Sequence, residues 1–230
     1  MAMVRNSVGE ECYVADEIIT SRAGVRIRVG NTDAEARTVA ANFLLKCGVQ
    51  VSRNLVGGFL TVPSLQGRMA MVDVLCDMKE RALKEVNPHL MTIATLTGHA
   101  VLANGPYTNV MDNGPAKREA FAQGLQSTGD LFGDMFEIST VRREDFDFIK
   151  DKSGKFVDVL QCNNVASSRT PRGHQFPAAF MQVVAGLDKH MCSSQKPLKY
   201  SHLDVAGSNG ELPGLTTGSS VVAVAMNFAG

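Results

Sequence analysis

Between His89 and Leu96 the chain runs through eight residues with no acid, lysine or arginine, His-Leu-Met-Thr-Ile-Ala-Thr-Leu, and stops at Thr97-Gly98. A run this short and this apolar reads as a strand of the buried kind, because a strand covered on both faces loses its polar alternation. Two other segments read as strands. Val25-Arg26-Ile27-Arg28-Val29 alternates apolar residues with arginines, the period-2 mark of a half-buried strand, and Gly30-Asn31-Thr32 breaks it. Tyr200–Val205 ends at Ala206-Gly207.

Helical spacing places a helix over Met69–Val86, with Met71, Val74, Leu75, Met78, Ala82 and Val86 on one side and Asn87-Pro88 as its stop. Further helices are expected at Arg37–Lys46, at Pro115–Ser127 with proline in the first turn, at Pro177–Lys189, and at Thr217–Phe228, where Val221, Val222 and Val224 leave a strand open. The glycine-broken stretch Leu55–Pro63 reads as a loop or weak hairpin, and residues 1–24 as short strands and turns. Gly129–Gly173 reads as loop-rich, anchored by Phe132, Met135, Phe136, Phe146, Phe148 and Ile149, with a short strand at Val157–Leu160. Strands alternating with helices predict an α/β fold, a mixed β-sheet flanked by helices.

A chain of 230 residues can bury roughly 70% of its unfolded surface, enough for a sizeable core. Twenty-three basic side chains balance twenty-three acidic ones, with no basic block, so nucleic acid and anionic membrane are not expected partners. Five cysteines, Cys12, Cys47, Cys76, Cys162 and Cys192, contain no Cys-x-x-Cys and read as reduced, small apolar residues. No apolar run approaches the roughly 18 residues of a membrane span, and Met1–Arg5 does not open a signal peptide, so the cytoplasm is the expected location.

The chemistry-bearing stretch follows the arginine-alternating strand: Asn31-Thr32-Asp33-Ala34-Glu35-Ala36-Arg37. On the residues alone, Asp33 and Glu35 are either an exposed acidic loop or a pair of hard oxygen donors converging through a sharp turn at a strand end. Arg37 follows two residues later.

The stretch is similar to the Asn-Thr-Asp-Ala-Glu-Gly-Arg signature of the leucyl aminopeptidase (cytosol aminopeptidase) family. Three later segments agree in order and spacing: Ile93-Ala94-Thr95-Leu96-Thr97-Gly98, His202-Leu203-Asp204-Val205-Ala206-Gly207 and Thr217-Gly218-Ser219-Ser220-Val221. The branch resembled most is the aminopeptidase-like group of animals. The resemblance implies a metallopeptidase catalytic domain that removes N-terminal residues from peptides. Two divalent ions, zinc or manganese, would be held there with Asp33 and Glu35 among the ligands. It implies a carbonate ion held by an arginine, substrate gripped along Thr95, Leu96 and Gly98, and a homo-oligomer, a hexamer in the family.

The signature departs from the family in two ways. Ala36 stands where the family has glycine, and Gly67-Arg68-Met69 continues the motif better than Ala36-Arg37-Thr38 does. Residues 36–66 are therefore expected to be an insertion or a retained intron, and both Arg37 and Arg68 are candidates for the catalytic arginine. The family's upstream metal-ligating lysines and aspartates are not found, so residues 1–230 are expected to be the C-terminal part of the catalytic domain, inactive alone. The competing class is a non-catalytic relative acting as a structural or oligomerisation subunit. His202 and Asp204 are expected to be structural residues of a buried strand. His99 is a candidate for the pocket edge.

Overall fold

The computed structural model describes residues 16–30, 56–57, 67–154, 156–210 and 217–229. Its strands are β1 (Ile18–Thr20), β2 (Arg26–Arg28), β3 (Val56–Gly57), β4 (His89–Ala94), β5 (Thr108–Asp112), β6 (Phe136–Ile138), β7 (Val159–Leu160) and β8 (Lys199–Asp204). Its helices are α1 (Gly67–Ala82), α2 (Gly98–Asn104), α3 (Gly114–Arg118), α4 (Phe121–Phe132), α5 (Arg143–Ile149), α6 (Gln175–Val184) and α7 (Val221–Ala229), with 3-10 turns at Ser167–Arg169 and Leu187–His190.

The buried strand expected at His89–Leu96 is β4, and all six of its residues are buried. It lies second in a five-stranded sheet of order β3-β4-β8-β5-β6. β3, β4 and β8 run parallel, β5 runs antiparallel to β8, and β6 is parallel to β5. The sheet is therefore mixed, as expected.

Alternation along β4 divides two cores. Leu90 and Ala94 join Tyr200, Met71, Leu75, Phe176 and Phe180 on the face covered by α1 and α6. Met91 and Ile93 join Leu203, Val110, Leu125 and Ala223 on the face covered by α4 and α7. Helix, sheet and helix form three layers. A smaller sheet, β1-β2-β7, joins the first core through Ile27 and Val159.

α6 lies in that core and is apolar nearly all round, which is the pattern of a helix enclosed by its neighbours. Its C-terminal carbonyls face inward and find side-chain donors: Ser21 Oγ donates to Val184 O at 3.0 Å and Lys79 Nζ to Ala185 O at 2.9 Å. Helix α6 is shorter than the expected Pro177–Lys189, because the backbone turns left-handed at Gly186 before the second 3-10 turn.

The helix expected at Pro115–Ser127 is two helices. Ala120 takes φ 54°, in the left-handed region, and ends α3 before α4 begins. Side chains from the sheet cap both. Asn113 Oδ1 accepts Ala116 N–H at 3.1 Å, and Asp112 Oδ2 accepts Ala122 N–H at 2.8 Å. The segment read as loop-rich holds β6, α5, β7 and the first 3-10 turn; of its six expected anchors Phe136 and Ile149 are buried, Phe146 packs against the first core, Phe148 is 40% exposed with its ring 4.9 Å from that of Phe176, and Phe132 and Met135 are each 45% exposed. Helix α2 and strand β5 were not foreseen. At the C-terminal end, helix α7 settles the helix-or-strand ambiguity. Val56–Gly57 pairs in parallel with β4 as an edge strand, not as a hairpin. The helix expected at Arg37–Lys46 lies outside the described residues.

Ala120 is exposed, so the strain of its left-handed backbone is not offset by burial of its methyl group. Ala120→Gly is expected to raise stability by about 0.5–1 kcal/mol in urea unfolding. An unchanged or lowered midpoint would contradict that strain.

Candidate active site

The parallel strands β4 and β8 end side by side, with Ala94 opposite Asp204. Past Ala94 the chain leaves the ladder, and its backbone donors need new partners. Asp204 supplies them. Its Oδ1 accepts the Leu96 N–H at 3.0 Å and the Ala206 N–H at 3.1 Å, and its Oδ2 accepts the Thr97 hydroxyl at 2.7 Å. Thr97 Oγ1 in turn accepts the Ala100 N–H at 3.2 Å and caps α2. One buried carboxylate thus shapes the turn Thr95–Gly98. Leu96 is buried, Thr95 is half-buried and Gly98 is exposed.

Burial pushes the Asp204 carboxyl up to about 6, against the hydrogen bonds from Thr97, Leu96 and Ala206 that favour its charged form. His202 is fully buried and its Nδ1 lies 2.8 Å from Thr92 Oγ1, which also meets the Tyr200 hydroxyl at 2.7 Å. Both residues are structural, as their place in a buried strand implied.

The second part of the site begins at the end of β2. Gly30 N–H donates to Gln161 Oε1 at 3.0 Å. A Cβ at this position would stand 2.9 Å from Cys162 Sγ and 3.0 Å from the Cys162 carbonyl oxygen, so only glycine permits the approach. The connection from β7 to α6 then reaches the other part: Ser167 Oγ accepts the Gly98 N–H at 3.0 Å. Residues 161–174 thus touch both the strand end that leads into Asn31 and the turn after β4.

The structure places Thr95, Leu96 and Gly98 together at that turn and Arg68 as the second residue of α1. Asp33, Glu35 and Arg37 lie outside the described residues. Among the described residues no group of three or more His, Cys, Asp or Glu side chains could hold a metal ion. Sequence reasoning missed Ser167, His174 and Ser139 around the turn. Thr97 as an N-cap was the available signal for α2, and α2 brings His99 to His174.

The fold and this strand-end turn define an α/β/α domain whose ligand site would lie beyond the carboxyl ends of its parallel strands. The chain belongs to the cytosol aminopeptidase family: the family's catalytic-domain profile matches residues 1–58 and 63–226. It is 43% identical over 216 residues to "Putative aminopeptidase W07G4.4" of Caenorhabditis elegans, covering 94% of this chain and 35% of that protein. It is 26% identical to "Probable cytosol aminopeptidase" of Campylobacter jejuni, covering 90% of this chain and 32% of that protein. The chain thus spans about a third of the length of these relatives. A tomato leucine aminopeptidase variant shares the fold at TM-score 0.63 and 19% identity, over 96% of this chain and 33% of that one. The bottromycin maturation enzyme BotP does so at 0.62 and 16%, over 95% and 38%.

A carboxyl raised by burial is neutral more readily when folded than when unfolded. Its stabilising share is complete below the ordinary value of 3.8 and is lost as pH rises through about 6. Between pH 4 and pH 7 the chain should therefore lose about 2–3 kcal/mol relative to Asp204→Asn in urea unfolding. Parallel pH profiles for the two proteins would refute the raised value.

Proposed function

We propose that this chain is the C-terminal part of the catalytic domain of a metal-dependent aminopeptidase, one that removes N-terminal residues from peptides. The observation that carries this reading is the Thr95–Gly98 turn. It is held by Asp204 at paired strand ends, inside a chain of the aminopeptidase family whose signature Asn31–Arg37 directly follows β2. We assign Asp33 and Glu35 as ligands of a centre of two divalent ions, zinc or manganese. Hard carboxylate oxygens suit both metals. When bound, the ions would polarise the scissile carbonyl and activate water.

The chain's own residues have narrower tasks. Backbone groups of Thr95, Leu96 and Gly98 align the peptide, and Asp204 keeps that edge in shape. Arg37, or Arg68 where residues 36–66 are looped out or spliced out, holds a carbonate ion. A planar fork of donors fits such an anion. The assembly is a homo-oligomer, a hexamer by analogy with the family, in the cytoplasm. Among the described residues no helix is long and apolar enough to cross a membrane.

A second reading starts from the ligands assigned here, the two carboxylates Asp33 and Glu35. Two carboxylates do not hold two divalent ions tightly, so the 230-residue chain by itself would be a non-catalytic, structural or oligomerising subunit.

One set of measurements separates these readings. Zinc or manganese titrated calorimetrically into the chain should bind weakly, and Asp33→Ala/Glu35→Ala should abolish binding. Leucine p-nitroanilide should not be hydrolysed by the chain alone. Metal binding retained in the double variant would overturn the ligand assignment, and metal-dependent hydrolysis by the isolated chain would overturn the non-catalytic reading. A message joining Glu35 directly to Gly67 would establish 36–66 as an intron.

A further inference from the structure

Next to the substrate edge lies a hydrogen-bonded chain of side chains with no part in the metal chemistry. His99 follows Gly98 in the first turn of α2 and is half-buried. Its Nδ1 lies 2.7 Å from Nδ1 of His174, which is buried. His174 Nε2 lies 2.6 Å from Ser139 Oγ, also buried. Gly173 lets the pair come together: a Cβ there would stand 2.8 Å from the His99 Cβ and 2.2 Å from the Ser167 carbonyl oxygen. The preceding residue, Arg172, takes φ 57° and is held by Asp145 through two bonds of 2.7 Å.

The surroundings of both rings favour the neutral form. Burial, and then the Arg172 guanidinium, hold His99 below its ordinary value; burial, His99 and Arg172 bring His174 down to about 4, with Asp145 opposing. A neutral imidazole carries one N–H, so the Nδ1–Nδ1 contact leaves two arrangements. The shorter contact favours one of them. An O–H donor makes shorter bonds than an N–H donor, and 2.6 Å suits the Ser139 hydroxyl donating to His174 Nε2. The other acceptor within reach of that hydroxyl, Asn109 Oδ1, is farther, at 3.4 Å. With its Nε2 accepting, His174 must donate through Nδ1. His99 then accepts at Nδ1 and carries its own proton on Nε2. That nitrogen makes no hydrogen bond among the described residues.

We propose that His99 is a peptide-binding residue of the substrate edge, its Nε2–H donating to a carbonyl or carboxylate oxygen of the peptide, with His174 and Ser139 as the positioning residues that fix that proton. This rests on reading Thr95–Gly98 as the substrate edge. The sequence Gly98-His99 and the pair His99–His174 thus add a neutral side-chain donor to a rim otherwise built from backbone.

The test is a nitrogen-15 NMR titration of the full chain, in the presence of zinc, with leucylglycine. Before addition, His99 Nε2 should fall in the protonated range. On addition it should shift saturably together with the Leu96 and Gly98 amides. His99→Ala should weaken binding about fivefold, the share of one hydrogen bond, and His99→Gln, which keeps a donor at that reach, should recover most of it. Ser139→Ala should release the tautomer, so that an unprotonated His99 Nε2 becomes detectable, a change that a purely structural role would not produce. An unprotonated Nε2 in the parent chain overturns the proposal. So do Leu96 and Gly98 amides that shift while His99 does not, although the substrate-edge reading then stands. No shift anywhere overturns both.

Discussion

The architecture of the site depends on one buried carboxylate. Asp204 closes the central strand of the sheet, and the groups it binds belong to the two chain segments that leave the strands there: Leu96 and Thr97 after β4, Ala206 after β8. Taking a carboxylate out of water is costly, and the raised pKa of Asp204 is the sign of that cost. The donors offset it only because they are fixed in place by the ladder on one side and by the cap of α2 on the other. An apolar residue here would leave backbone N–H groups without acceptors inside the core, which costs more than the charge does when it is hydrogen-bonded. The acid is therefore retained for shape.

Acid and base pull stability in opposite directions across this sheet. Asp204 is raised by burial, whereas His89 is lowered to about 3, by burial first and by Lys199 second. His89 Nε2 meets Ser201 Oγ at 2.9 Å on β8, three residues before Asp204. A histidine held neutral contributes stability that is lost as pH falls below its ordinary value of 6.5, while Asp204 regains stability over the same fall. His174 follows His89. The sheet is thus least sensitive to acid where Asp204 sits and more sensitive at His89, so a single whole-protein pH profile would blend opposing contributions.

Much of this was legible in the chain because periodicity and burial agreed. The uncharged run at His89–Leu96 has only one good explanation, a strand covered on both faces, and the methionines and leucines of Met69–Val86 have only one helical side. What escaped detection was local and steric. Nothing apolar marks Ala120 as left-handed; the break follows from Asp112 and Asn113 capping two different helices from one strand end. Phe132 and Met135 look like anchors by type, but side-chain type does not say which face a short element turns inward. Of the candidate site, Asp204 and His202 were readable as strand residues, whereas Ser139 and His174 carry no spacing signal. They meet His99 only because the β7–α6 connection folds back onto α2.

That connection also fixes the two points of the scaffold nearest to the Asn31–Arg37 stretch. The approach of β2 is fixed at Gly30 by Gln161 and Cys162, and the turn after β4 is fixed at Gly98 by Ser167. Both anchors lie upstream or downstream of 31–66 and neither uses a residue from it. The segment carrying Asp33 and Glu35 therefore departs from a defined point, and helix α1, which opens with Gly67-Arg68, is held independently by Met71, Leu75 and Met78 in the core. Loop-closure entropy grows only logarithmically with length, so the number of residues between two such fixed ends changes the cost of closure little. These anchors position the ends of residues 31–66, and any chemistry of Asp33 and Glu35 depends on what lies between them.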